Sequence, residues 1–301
     1  MLSLSKLFIA PSSFMEFDNQ IIKNFKKKRI SFTKNPVGKK LDSNQLIKFA
    51  KNSDYIIAGT EKYDARTINQ LPKLKYLFRM GSGIDNIDTK YLKNKNIEFN
   101  RSHITPEIAV AELILGHIIL IYRNLFNHNL DMRNKIWKKN MGSTIHGKTV
   151  GIIGYGKVGK YLHKLLRNFG AKIIINEKKK ISQKKTSLKN LIKNSDIISI
   201  NTSLISEKKI LDKKNLKLCK KNCVIINTSR PEVLDYNYLY IMLKKNKILG
   251  AGLDVFEKEP YFGKLSKLKN VFMTPHIGSY SKEIRLKMEQ EALDAIFKII
   301  R

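Results

Sequence analysis

Lys148-Thr-Val-Gly-Ile-Ile-Gly-Tyr-Gly-Lys-Val-Gly-Lys160 is the stretch on which the reading of the fold turns. Val150 to Ile153 form a short apolar run of the kind a buried parallel strand requires. Gly154, Gly156 and Gly159 then spell G-x-G-x-x-G at the point where that strand turns into a helix. Val158, Leu162, Leu165, Leu166 and Phe169 recur at helical spacing and give the helix one apolar face. Gly170 stops it, and Lys172 to Ile175 make a second apolar strand that runs to Glu177.

Strand, glycine turn, helix and second strand in register raise a weak motif to a specific one. Gly154 permits the tight turn, Gly156 lets backbone approach a pyrophosphate, and Gly159 lets helix and strand pack closely. The whole loop, Gly154, Tyr155, Gly156, Lys157, Val158 and Gly159, is therefore a candidate dinucleotide cradle, with phosphates facing free N–H groups at the helix start. Glu177, 18 residues after Gly159, stands where a carboxylate accepts hydrogen bonds from ribose hydroxyls and repels a 2′-phosphate. NAD is expected over NADP, although Lys178, Lys179 and Lys180 offer charge to a phosphate.

Working outward, the 301 residues suffice for two domains, and apolar strands alternate with amphipathic helices as in an α/β protein. No run of 18 apolar residues exists, so no membrane partner is expected, and the first ten residues read as a strand. Cys219 and Cys223, the only cysteines, are too few for a disulfide scaffold or zinc site, so a reduced, cytoplasmic protein without a metal is expected. The formal charge of +33 suggests nucleic acid. Yet 48 of the 58 basic residues are lysines spread along the whole chain, whereas phosphate recognition favours clustered arginine and stacking aromatics. No specific nucleic-acid partner is expected.

The N-terminal third repeats strand–helix units without a dinucleotide fingerprint. Strands are expected at 4–10, 54–59 and 74–78, with helices at 16–28, 43–52 (Ser43 near its N-cap) and 64–70. The loop Gly81-Ser82-Gly83, flanked by Arg79 and Asn86, reads either as a nest of N–H groups for an anion or as an ordinary glycine turn. A long apolar helix starts at Pro106, and 124–147 reads as a polar arm suited to packing on a second subunit. After Glu177, strands are expected at 196–200, 223–229, 250–255 and 271–274, with helices at 188–194, 211–218, 235–245 and from Ser281 onward.

Ligands of such sheets sit beyond the carboxyl ends of the strands. Arg230, Asp254 with Glu257 and Glu259 behind it, and His276 all fall there. An Arg, a carboxylate and a His at a nicotinamide are the equipment of hydride transfer at a carbinol. His276 would exchange the hydroxyl proton, a carboxylate would hold the imidazolium, and Arg230 would bind a substrate carboxylate and polarise its C2 oxygen.

These segments resemble the D-isomer-specific 2-hydroxyacid dehydrogenases. Asn35-Pro-Val-Gly-Lys-Lys-Leu41 and Ile57-Ala-Gly-Thr-Glu61 are similar to the phosphoglycerate dehydrogenase-like branch. Arg79-Met-Gly-Ser-Gly-Ile-Asp-Asn-Ile-Asp88, Ala109-Val-Ala-Glu112, Asn227-Thr-Ser-Arg230, Leu253-Asp-Val-Phe-Glu-Lys-Glu-Pro260 and Thr274-Pro-His-Ile-Gly278 follow the family's segments in order. The resemblance implies two Rossmann-like, doubly wound parallel-sheet domains with a cleft between them. The substrate domain would comprise 1–102 plus 279–301, around an inserted NAD domain at 103–278.

It also implies Arg230, Glu259 and His276 as the catalytic set, Thr228, Asp254, His276 and Gly278 beside the cofactor, and Arg79, Ser82, Gly83, Asn86 and Arg230 around the substrate. Two departures stand out: Pro231 follows the catalytic Arg where the family has Gly, and Asn201 and Ser203 replace His and Pro. The chain ends after its last helix, so no C-terminal regulatory domain is expected. The implied activity is NAD-dependent oxidoreduction of a 2-hydroxy acid, with 3-phosphoglycerate as first substrate and glyoxylate or hydroxypyruvate as alternatives. A homodimer through 119–147 is expected. A binding protein that senses NAD on the same fold is the reading from another class.

Overall fold

The computed structural model describes residues 5–14, 25, 30–202 and 209–300. Among them the chain divides into two compact units, Met1–Thr105 with Ser281–Arg301, and Pro106–Tyr280. The helix expected at 16–28 and position Ser203 lie outside the described residues, Phe25 excepted.

The first unit is built on β1 (Lys6–Ile9), β2 (Ser31–Lys34), β3 (Tyr55–Ala58), β4 (Tyr76–Arg79) and β5 (Glu98–Arg101). They form one parallel sheet in the order β2-β1-β3-β4-β5. Every residue of β3 and β4 is buried, while the edge strands β2 and β5 are largely exposed. Central parallel strands are covered on both faces and must be apolar throughout, and edge strands escape that demand. This is why β3 and β4 stand out in the sequence and the polar β2, Ser-Phe-Thr-Lys, was not expected as a strand.

Helices α1 (Ser43–Ala50), α2 (Ala65–Asn69) and α3 (Thr89–Asn94) connect these strands. The N-cap of α1 is Asp42, the residue before Ser43. Its carboxylate accepts from Gln45 N while the Gln45 side chain accepts from Asp42 N, a reciprocal capping box.

The second unit opens with α4 (Glu107–Tyr122) and α5 (Leu125–Arg133), followed by β6 (Thr149–Ile153), α6 (Lys157–Asn168), β7 (Lys172–Asn176), α7 (Leu188–Asn194) and β8 (Ile197–Ile200). Then come α8 (Lys213–Leu216), β9 (Val224–Asn227), α9 (Tyr236–Lys244), β10 (Gly250–Leu253) and β11 (Val271–Met273). The helix expected over 211–218 shrinks to α8, which Asp212 caps. The strands form a parallel sheet ordered β11-β10-β9-β8-β6-β7.

One face of this sheet carries α4 and α6, through Ile114, Ile118, Leu162 and Leu166 against Val150, Ile152 and Ile226. The other packs Leu191, Leu239 and Leu243 against Ile198, Ile225 and Ala251. The final helix α10 (Lys282–Ile299) returns to the first unit with Ser281 as its N-cap. No single helix among the described residues is long and apolar enough to cross a membrane.

The strand order of the second sheet reverses at β6, which pairs with β7 on one side and with β8 on the other. Loops leaving neighbouring strands on opposite sides of such a switch open a crevice at their carboxyl ends. The glycine loop emerges there. At the far side of the sheet β9, β10 and β11 lie side by side, so the loops that follow them are neighbours.

Candidate active site

The glycine loop is shaped by three different demands. Gly154 has φ +90, and a Cβ there would lie 2.8 Å from the carbonyl carbon and oxygen of Asn201. At Gly159 a Cβ would fall 2.3 Å from the Gly154 carbonyl oxygen, so this glycine lets α6 close onto β6. Gly156 is different. Nothing lies within 4 Å of where its Cβ would sit, and it begins α6 with no side-chain cap. A loop whose middle glycine faces open space, at the start of a twelve-residue helix that has no side-chain cap at Gly156, fits a dinucleotide pyrophosphate.

Glu177 ends this subsite and is tied into it. Its Oε2 accepts from Tyr155 N at 2.7 Å and its Oε1 from Lys179 N at 2.9 Å. Partial burial pushes the carboxyl up, but these backbone donors outweigh it and hold Glu177 below its usual range. In this geometry Glu177 steadies the glycine loop itself. Tyr155 also bonds through its hydroxyl to His163 Nδ1 at 2.6 Å, bracing the loop on α6.

The catalytic candidates converge beyond β9, β10 and β11. Asn227, the last residue of β9, is fully buried and builds the turn after it. Its amide donates to the Arg230 carbonyl at 3.0 Å, and its Oδ1 accepts from Ser229 N at 3.1 Å and Ser229 Oγ at 2.9 Å. Tyr236 OH, on α9, bridges Asn227 and the Val255 carbonyl and so joins the β9 turn to the β10 turn. Arg230 has φ −137 and ψ 142, and Pro231 opens a 3-10 turn through Val233. Thr228 lies half-buried in the same turn.

Proline after Arg230 is thus accommodated without strain, because an extended residue is what a following proline demands and proline is favoured at the first helical position.

Glu259 receives Phe256 N–H at 3.2 Å and faces His276 Nδ1 at 3.0 and 3.1 Å from its two oxygens. A carboxylate on Nδ1 fixes the ring and leaves Nε2 for proton exchange. His276 stands at φ +55, a left-handed conformation that a side chain rarely adopts. It is held from both sides. His276 N donates to the Thr274 carbonyl at 3.0 Å, and the next two N–H groups, Ile277 and Gly278, reach Asp254 at 2.8 and 2.9 Å. Asp254 is wholly buried and also accepts from Thr274 Oγ1 at 2.6 Å. Burial raises its carboxyl above the usual value against the pull of these donors.

In the first unit, the loop after β4 carries the anion candidates. Ser82 is exposed, Gly83 is half-buried, and Gly81 has φ +144. Arg79 is only 9% exposed, with Nη1 just 2.8 Å from where a Gly81 Cβ would sit, and it donates to the Met80 carbonyl. Asn86 is used inward, its amide donating to Glu61 O at 2.6 Å and Gly59 O at 3.1 Å. Glu61 is 2% exposed and accepts from Gly59 N at 2.8 Å. Burial lifts its carboxyl above the ordinary range, and the positive field of Arg79 works against that rise.

Comparison with known proteins shows the lineage. Residues 115–278 match the family model described as D-isomer specific 2-hydroxyacid dehydrogenase, NAD binding domain. The chain belongs to the D-isomer specific 2-hydroxyacid dehydrogenases. A glyoxylate reductase of Thermococcus litoralis is 36% identical over 249 residues, spanning 77% of this chain and 75% of that one. A D-3-phosphoglycerate dehydrogenase of Methanocaldococcus jannaschii is 31% identical over 275 residues, 87% of this chain and 52% of the relative. Among solved structures, a glyoxylate reductase from Paecilomyes thermophila superposes with a TM-score of 0.84 at 25% identity, covering 100% of this chain and 96% of that one.

As a family member the protein is an NAD-dependent oxidoreductase acting on the CH–OH group of a 2-hydroxy acid. Asn227, Tyr236 and Glu61 are contributors to these loops that sequence reading did not single out. Asn227 and Glu61 stood inside recognised segments, whereas Tyr236 looked like any helix aromatic.

Proposed function

We propose that this 2-hydroxyacid dehydrogenase reduces a small, unphosphorylated 2-keto acid, glyoxylate or hydroxypyruvate, with Arg230, Glu259 and His276 as its catalytic residues. Bound NADH would supply the hydride. His276 Nε2 would give the proton to the C2 oxygen, with Glu259 holding Nδ1 and stabilising the imidazolium. Arg230 would take the substrate carboxylate and draw charge onto the carbonyl. The observation that carries the reading is the His276–Glu259 pair at 3.0 Å, on loops that leave adjacent strands near the Arg230 turn.

The substrate preference rests on Arg79. Its bond to the Met80 carbonyl and the nearby Glu61 carboxylate meet its charge from inside the unit. That arrangement disfavours recruiting it for a substrate phosphate. The second reading, 3-phosphoglycerate and its keto acid, keeps support from the position of Arg79 beneath the Gly81–Gly83 loop and from the phosphoglycerate relative.

NADH consumption followed with glyoxylate, hydroxypyruvate and phosphohydroxypyruvate separates these readings. Turnover of the first two, lost on the order of 10²–10⁴-fold in His276→Ala with NADH binding retained, is the expected result. Preference for the phosphorylated acid would favour the second reading. NADH binding with no turnover would favour the NAD-sensing binding protein.

We further propose a homodimer, through the region 119–147. Phe126, Met132, Trp137 and Met141 are 50%, 55%, 77% and 100% exposed there, more apolar surface than an arm in water needs. Light scattering should show two subunits, reduced to one by Trp137→Ser combined with Met141→Ser. Cytoplasmic residence is favoured by the free thiols of Cys219 and Cys223.

A further inference from the structure

We propose that His117 is a positioning residue for this reaction: its Nε2–H anchors Thr274, which orients Asp254 and, through it, the backbone turn that presents His276. The proposal rests on the placement of His276 and Arg230 argued above, and extends it to a residue deep in α4.

His117 is 0% exposed. Its Nε2 lies 3.3 Å from Thr274 Oγ1, and Thr274 Oγ1 lies 2.6 Å from Asp254 Oδ1. The direction of these bonds follows from counting donors. Asp254 Oδ1 also receives Ile277 N–H, and Oδ2 receives Gly278 N–H, so the carboxylate is the acceptor at every contact. Thr274 has one hydroxyl hydrogen and spends it on Asp254. Its oxygen can then only accept from the imidazole, so His117 is the neutral Nε2–H tautomer. Burial, which drives the imidazole down to about 4, keeps it neutral at working pH.

The cost of this arrangement shows at the other nitrogen. His117 Nδ1 is buried with no hydrogen-bond partner among the described residues. Leucine would fill the slot without an unanswered polar atom. The sheet also gives way to the ring, since a Cβ on Gly252 of β10 would come within 2.8 Å of His117 Nδ1. Phe272 of β11 packs its ring edge-on at 5.2 Å.

An imidazole kept at these two costs, and aimed at a hydroxyl, needs a gain. The gain is the chain His117 Nε2–H to Thr274 to Asp254 to the Ile277 and Gly278 N–H groups. That chain grips the residues immediately after His276 and offsets its left-handed backbone. Aligned hydrogen bonds of this kind reinforce one another in a dry interior.

The test joins one spectroscopic measurement to three single variants and one double variant. In protein labelled with ¹⁵N-histidine, the imidazole nitrogen shifts of His117, assigned by its loss in His117→Gln, should report the Nε2–H tautomer persisting down to pH 5. An Nδ1–H tautomer or a protonated ring at pH 6 overturns the proposal, whatever substrate the enzyme takes.

In turnover with glyoxylate, His117→Leu and Thr274→Val should each lower kcat about tenfold, the worth of one good hydrogen bond. KM for NADH should change less than threefold. The double variant should be no slower than the slower single one, because both cut the same chain. His117→Gln keeps an N–H donor and should recover to within about threefold of wild type. Multiplying losses, or a Gln variant as slow as the Leu variant, overturns it. Should His117→Leu fail to fold, a wild-type kcat in Thr274→Val overturns it alone. Wild-type turnover in the same assay tests the site reading separately from the chain behind it.

Discussion

At the scale of single residues, Arg230 and Pro231 show how a departure from a family pattern is absorbed. A glycine after the arginine would leave the turn free. Proline fixes it, and the structure answers with an extended Arg230 and a 3-10 turn begun by Pro231. The Asn227 amide, clamped by Tyr236, then holds the Arg230 carbonyl. Proline at a compatible φ stabilises by restricting the unfolded chain. Pro231→Gly is therefore expected to lower unfolding free energy by roughly 0.5–1 kcal/mol in urea melts, with kcat within a few-fold of wild type. A large gain in kcat on substitution would show instead that proline distorts the Arg230 turn.

At the scale of elements, the β6–α6 loop separates two glycines that packing requires from one that faces open space. Gly154→Ala must place a Cβ 2.8 Å from Asn201 backbone atoms at φ +90. A loss on the order of 2 kcal/mol of stability is expected, since neither backbone nor φ can yield cheaply. Gly156→Ala meets nothing within 4 Å, so thermal melts should be unchanged. Its new methyl would occupy the approach to the pyrophosphate, and titration of NADH fluorescence should show binding weakened tenfold or more. Normal NADH affinity in Gly156→Ala would remove the dinucleotide from this loop.

At the scale of the whole molecule, acid stability should carry the mark of the buried His117. Its imidazole titrates at about 4 in the folded protein against 6.5 for the ordinary value. The unfolded chain takes up the proton first as pH falls, so the native state loses stability from 6.5 down to about 4 and holds all of it above 6.5. The shift amounts to about 3 kcal/mol at most. His163, also lowered by burial, adds a slope of the same sign. Glu61 and Asp254, raised by burial, oppose it. Comparing denaturation midpoints of wild type and His117→Gln across this window subtracts those shared contributions. The variant should show the flatter profile, and parallel profiles would refute the burial of a neutral imidazole.

The marks that fold and site left in the sequence were local. The central strands were legible because strands covered on both faces must be apolar without interruption, and the β6–α6–β7 unit because turn, helix face and second strand each leave a mark within thirty residues. The polar edge strand β2 left no such mark. The residue types at the carboxyl ends of β9, β10 and β11 were legible for the same local reason, since strand ends fix where Arg230, Asp254 and His276 must emerge. How those groups are held emerges only once the elements pack. Packing turned Glu177 onto the Tyr155 backbone, set Glu61 near a buried Arg79, and brought His117 to Thr274 across 157 residues of chain. Periodicity reports which face of an element is buried. It carries no record of which distant donor meets which acceptor once the faces are packed, and at this site that pairing decides the orientation of His276.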